Sequence, residues 1–210
     1  SFHATKFFNT FEGGAIATND DELAARIRLM KNFGFSGYDN VVHVGTNGKM
    51  SEISAAMGLT ILECMDEIVL ANRDRYRTYR HRLGQIPGVC LIPYDEREEC
   101  NYQYVVLEID EDVAQISRDD LVAILNAENV LCRRYFYPGC HQMEPYRSLF
   151  PHSGLLLPHT EQLVTRVMSL PTGPGIAREE IDQICQILHM VVSNGAAVRN
   201  RLAEARNGRA

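Results

Sequence analysis

Residues 51–84 carry the longest unbroken helical pattern in the chain, and a helix of that length constrains what the rest can build. Ser51 and Glu52 start it, and Ile53, Ala56, Met57, Ile61, Leu62, Met65 and Ile68 form an apolar stripe at helical spacing. Its second half, ANRDRYRTYRHRL, is charged and predicted to be exposed. A helix this long reads as a bridge between two lobes or two subunits. Pro87 and Gly88 mark its far boundary.

The segments on either side differ. Before the helix, residues 7–18 (FFNTFEGGAIAT) are β-formers broken by Gly13 and Gly14, which predicts a strand entering and leaving a bend. Asn19 or Asp20 then caps a helix with acidic residues in its first turn and Leu23, Ile27 and Met30 on one face; Gly34 ends it. Residues 34–49 form a Gly/Asn/Ser-rich loop. After the long helix, 89–93 and 102–109 read as strands, Ser117 caps a helix over 118–128, and 129–136 reads as another strand. A Pro/Gly/His loop over 137–159, a helix at 160–168, the segment SLPTGP and a helix at 178–193 follow. This order predicts a small α/β lobe. The segment after Asn194 is polar and Ala/Arg-rich and reads as a frayed tail.

Charge narrows the function. A net charge of −6, with no Lys/Arg block of five residues, argues against a nucleic-acid partner or a polybasic membrane patch. No apolar run approaches about 18 residues, so no transmembrane helix is expected. Ser1 opens directly into what reads as folded sequence. The six cysteines show no C-x-x-C pair and the seven histidines no H-x-x-x-H pair, so reduced thiols and no metal site are expected.

Four segments offer chemistry. Lys6 lies between the short run SFHAT and the Gly13–Gly14 pair. A desolvated lysine can capture a carbonyl as a Schiff base, whereas on its own residues Lys6 reads as a snorkelling side chain at a strand end. GTNGKMSE over 45–52 leads into the long helix, and alone is a turn plus a cap. Tyr137-Pro138-Gly139-Cys140-His141, with Pro145-Tyr146 after it, alone is a loop with a satisfied histidine. Ser169-Leu170-Pro171-Thr172 precedes the last predicted helix. It is the order and spacing of the four together that carry information.

Taken together, SFHATK…EGGAI, GTNGKMSEISAAMGL, YPGCH…PY and SLPTGPGI resemble the sugar-nucleotide aminotransferases of the DegT/DnrJ family. These are pyridoxal 5′-phosphate (PLP) enzymes of fold type I, and the resemblance runs over essentially the whole chain. It implies an α/β fold: residues 1–50 as the last part of a PLP-binding large domain, 51–86 as a linking helix, 87–195 as a small C-terminal α/β domain and 196–210 as a polar tail. Lys6 stands where the family's lysine holds PLP. Ser1 matches a hydroxyl that binds the PLP phosphate, and Asn47 matches an asparagine that reaches the phosphate of the neighbouring subunit's cofactor. Lys49 stands where the family usually has arginine, facing the sugar-nucleotide phosphates; a lysine there gives up the bidentate fork. His141 matches a loop histidine near the substrate, and Tyr137 belongs to the same loop.

The implied reaction is transamination of a nucleotide-linked keto-deoxyhexose, closest to a dTDP-4-keto-6-deoxyhexose, with L-glutamate as amino donor. The implied assembly is a cytoplasmic homodimer with a shared active site. The family's first half carries an aspartate for the pyridine nitrogen, an aromatic on the ring and helix-terminal amides for the phosphate. The motifs here begin at the lysine segment. The chain is therefore expected to be the C-terminal portion of such an enzyme and inactive alone. Two alternatives stand beside this reading: dehydratase relatives, in which histidine replaces the lysine, and a non-catalytic truncated module retained for binding or dimerisation. Lys6 favours transamination.

Overall fold

The computed structural model describes residues 1–207, in two compact units, Ser1–Glu67 and Ile68–Ala210. Among the described residues no helix is long and apolar enough to cross a membrane.

In the first unit, α1 (Asp21–Met30) starts where the Asp20 side chain accepts the Leu23 N–H at 2.9 Å, with Asp21 and Glu22 in its first turn. Its C-terminal end is closed by Gly34, whose N–H donates to Leu29 O at 2.9 Å. The returning chain lies directly on that end. Phe33 N–H donates to Thr46 O, Thr46 N–H to Met30 O and Gly48 N–H to Lys31 O. Gly45 permits this approach, because a Cβ there would sit 2.3 Å from the Gly34 nitrogen. The strand expected over 7–18 does not form. Phe2 N–H donates to Gly13 O and Thr10 N–H to Phe2 O, folding residues 2–13 into a closed loop. Its β-formers pack locally instead: Phe2 meets Phe8 edge-on at 4.8 Å. The helix α2 (Glu52–Leu83) contributes residues to both units.

The second unit contains β1 (Val89–Leu91), β2 (Val105–Ile109), α3 (Glu111–Ala114), α4 (Arg118–Ala127), β3 (Arg133–Arg134), α5 (Tyr146–Leu149), α6 (Ser153–Leu156), α7 (Pro158–Val164), β4 (Val167–Leu170), α8 (Arg178–Ser193) and α9 (Gly195–Asn207). The four strands form an antiparallel sheet in the order β1-β2-β4-β3, with Leu107 opposite both Leu91 and Met168. Alternation along β2 buries Val105, Leu107 and Ile109 on one face. Leu121 and Leu125 from α4, Ile181, Ile184 and Leu188 from α8, and Tyr76, Tyr79 and Leu83 from α2 complete the core. α8 starts at Arg178, with Glu180 reaching back to the Ala177 N–H at 2.7 Å.

Four further expectations change. The charged second half of α2 is the half that enters the core. Its tyrosines bury their rings and keep their hydroxyls satisfied, Tyr79 Oη donating to Pro171 O at 2.9 Å. Meanwhile Ile53 and Leu62 of the apolar stripe are exposed. The strand expected over 129–136 is confined to Arg133 and Arg134, because Val130 N–H folds back onto Leu125 O and Cys132 N–H onto the Asn126 side chain. SLPTGP, read as a connecting segment, begins inside β4, which pairs on both sides. The expected frayed tail is helical through Asn207: Gly195 packs on the Ala114 carbonyl, and Arg206 pairs with the buried carboxylate of Asp120. Residues 208–210 of that tail lie outside the described residues.

All six cysteines are unpaired. Burial pushes the Cys132 thiol up to about 11 and the Cys185 thiol up to about 12.

Candidate functional site

Lys6 lies on the closed N-terminal loop, and Ser1 immediately precedes it. A turn fixes Lys6 on both sides of its Cα: its N–H donates to His3 O at 2.9 Å, and its carbonyl accepts from Asn9 Nδ2 at 3.2 Å. The lysine is half-buried. Thr5 N–H donates to His3 Nδ1 at 3.2 Å, so that nitrogen carries the lone pair and the proton sits on Nε2, 3.6 Å from Glu12. Ser1 Oγ accepts the His3 N–H at 3.4 Å, which leaves its own hydroxyl proton to donate elsewhere.

Asn47 and Lys49 lie on the segment held against the end of α1, where Asn47 bridges Asn32. Lys49 Nζ donates to Asn47 Oδ1 at 2.6 Å and sits 4.2 Å from the centre of the Phe33 ring. With Lys49 on its oxygen, the Asn47 amide still has both N–H donors to offer a ligand. The structure therefore brings Asn47 and Lys49 together as one donor group of positive charge.

Tyr137 and His141 occupy one loop of the second unit. Tyr137 stacks near two guanidinium groups, Arg134 at 4.6 Å and Arg118 at 5.3 Å from its ring centre. Arg118 is buried; it donates to Val164 O at 2.9 Å and to Val167 O, and pairs with Asp119 at 2.7 Å. His141 Nε2 lies 2.6 Å from Glu161 Oε1, and Gln142 Nε2 donates to the same oxygen at 2.6 Å. These bonds, the histidine first, hold the Glu161 carboxyl below the usual carboxylate range. Cys140, His141, Tyr146, Phe150 and Ser153 line a cavity of about 250 Å³. Sequence reasoning missed Arg118, Arg134 and Glu161. For Arg118 a signal existed, a lone arginine beside the acidic first turn of α4; for Glu161 none did, because its partner is twenty residues away.

The chain is similar to two curated enzymes named dTDP-4-amino-4,6-dideoxy-D-glucose transaminase. One, from Shigella dysenteriae, is 32% identical over 91% of this chain and 51% of the relative. The other, from Escherichia coli, is 35% identical over 85% and 48%. Among solved structures, DesI crystallised in the presence of its TDP-sugar product is 46% identical, with a TM-score of 0.87 over 96% of this chain and 51% of DesI. The chain thus spans about half the length of the curated relatives it matches. A family model matches residues 1–189, and the chain belongs to the DegT/DnrJ/EryC1/StrS aminotransferase family.

Proposed function

We propose that the protein carrying this chain transfers the amino group of L-glutamate to a nucleotide-linked keto-deoxyhexose, a dTDP-4-keto-6-deoxyhexose, with PLP as cofactor. The family's aminotransferases depend on PLP. The names of the two transaminases and of the DesI complex support the sugar and nucleotide classes. The donor set fits the cofactor: a half-buried amine on a fixed turn, a serine hydroxyl free to donate, and a carboxamide with two N–H donors beside a lysine. An amine suits an aldehyde, and neutral N–H and O–H donors suit a phosphate.

In this reading Lys6 Nζ is the attachment point for the cofactor and, once released, carries the proton between the two reacting carbons as base and then acid. Bound PLP supplies the electron sink that makes that carbon acidic. Ser1 and Asn47 hold the cofactor phosphate, Asn47 across a homodimer interface. Lys49 supplies the local cation that an acidic chain otherwise lacks near an anionic substrate. His141 and Tyr137 contact the sugar nucleotide. Residues 1–50 then close a PLP-binding domain, 51–86 link, and 87–195 form a smaller domain; the enzyme works in the cytoplasm.

The observation that carries the reading is Lys6, an amine held on a turn bonded on both sides, within the matched family segment. The test is borohydride reduction of the protein in the presence of PLP, followed by peptide mapping. The label is expected on Lys6 and absent after Lys6→Ala; a label elsewhere, or none, overturns the assignment.

A further inference from the structure

A buried arginine stands behind the loop that carries Tyr137 and His141. Arg118 opens α4, and its side chain is 1% exposed. Three nitrogens of one guanidinium meet three acceptors. Nε donates to Asp119 Oδ1 at 2.7 Å, one terminal nitrogen to Val164 O at 2.9 Å and the other to Val167 O. Val164 ends α7, so its carbonyl has no partner within that helix. The planar fork serves all three acceptors at once, a geometry that the single nitrogen of a lysine does not reproduce.

Tyr137 and His141 are tied to this group by separate routes. The direct route is the Tyr137 ring, whose centre lies 5.3 Å from the Arg118 guanidinium carbon and 4.6 Å from that of Arg134. Asp119 Oδ1 contacts both cations, at 2.7 Å from Arg118 and 3.8 Å from Arg134. The second route runs through α7. Its Glu161, about one turn before Val164, holds His141 Nε2 and Gln142 Nε2, each at 2.6 Å. Gly139, between Tyr137 and His141, backs onto the same helix end: a Cβ there would lie 3.4 Å from Val164 Cγ1.

We infer that Arg118 is a positioning residue: its one guanidinium places the Tyr137 ring directly and the His141 imidazole through α7, so that the two meet a nucleotide sugar at a fixed spacing. The substrate-facing part rests on the proposed roles of Tyr137 and His141. Buried ion pairs add little net stability over well-packed apolar groups, which leaves fixed geometry as the contribution of this one.

Amide exchange in the PLP-loaded protein tests the anchor. Arg118→Lys keeps the charge and loses the fork. It is expected to speed exchange in two segments, Tyr137–Gln142 and Glu161–Val164, while Val105–Ile109 of β2 stays as protected as in the native protein. Arg134→Lys changes the other cation on the ring without touching the Val164 carbonyl, and is expected to loosen Tyr137–Gln142 alone. Unchanged exchange in either segment of Arg118→Lys overturns the anchor. A second reading needs no change in the core. By nitrogen-15 NMR, the Arg118 Nε–H is expected to carry a ring-current shift that Tyr137→Leu, at an exposed position, removes. A resonance that stays in place overturns the direct route.

Steady-state kinetics test the substrate-facing part. In Arg118→Lys the KM for a dTDP-4-keto-6-deoxyhexose is expected to rise about tenfold, with the KM for L-glutamate unchanged. An equal rise in both marks general loosening and overturns the substrate-facing part. Two loosened segments with neither KM changed overturn the proposed roles of Tyr137 and His141, while the anchor stands.

Discussion

The two units hold their shapes by different means. Among the described residues, Ser1–Glu67 buries one apolar side chain, Ile61, and is otherwise organised by backbone hydrogen bonds between the end of α1 and the segment returning over it. Ile68–Ala210 encloses a continuous core of strands and helices. Hydrophobic burial is non-directional and tolerates sliding, whereas backbone bonds fix atoms individually. The first unit carries the lysine, serine and asparagine whose proposed roles need defined positions. The second carries the stability, with its loop chemistry attached to a sheet already in place.

The largest expected effect tests whether stability is divided this way. Leu107→Ala, at the centre of the sheet, is expected to cost about 2–5 kcal/mol in urea unfolding. Leu59→Ala, 65% exposed on α2, is expected to stay within about 0.5 kcal/mol. Similar costs for the two would break the comparison.

Gly45→Ala sharpens it from the other side. The new methyl meets backbone rather than a flexible side chain, so about 1–3 kcal/mol of local strain is expected. It should appear as faster amide exchange at Thr46 and Gly48, with protection across β2 and β4 unchanged.

The smallest effect is a slope. Glu161 holds its proton less readily folded than unfolded, so its contribution is complete above its ordinary 4.5 and is lost as pH falls below it. Glu161→Gln should therefore lower stability slightly at neutral pH and flatten its fall with acid below about 4.5. An identical acid limb in both proteins would show that the carboxylate is not held by His141.

Local chemistry was legible wherever it was sufficient. The Asp20 and Ser117 caps and the span of α8 follow from neighbouring residues and appear as expected. What failed depended on distant partners. β4 is four residues long, paired on both sides and followed by Pro171, too short for alternation to announce it. The arginines of α2 disguised a buried face, because Arg77, Arg80 and Arg82 turn outward to Glu96 and Asp182 while Tyr76 and Tyr79 turn in. The motifs marked Lys6, Asn47 and His141 as residues of interest. They did not show that Lys49 grips Asn47 or that Glu161 grips His141, since both pairings depend on how turns close in space.

The two buried thiols have a use of their own. Cys132 and Cys185 are both buried in the core and ionise only far above neutral pH, whereas Cys64, Cys90 and Cys140 face solvent. Alkylating reagents attack the ionised sulfur, so the surface sites react at once and the hidden pair waits for the lobe to open. The chain thus contains an internal clock for its own breathing, with fast sites as the zero and slow ones as the hand.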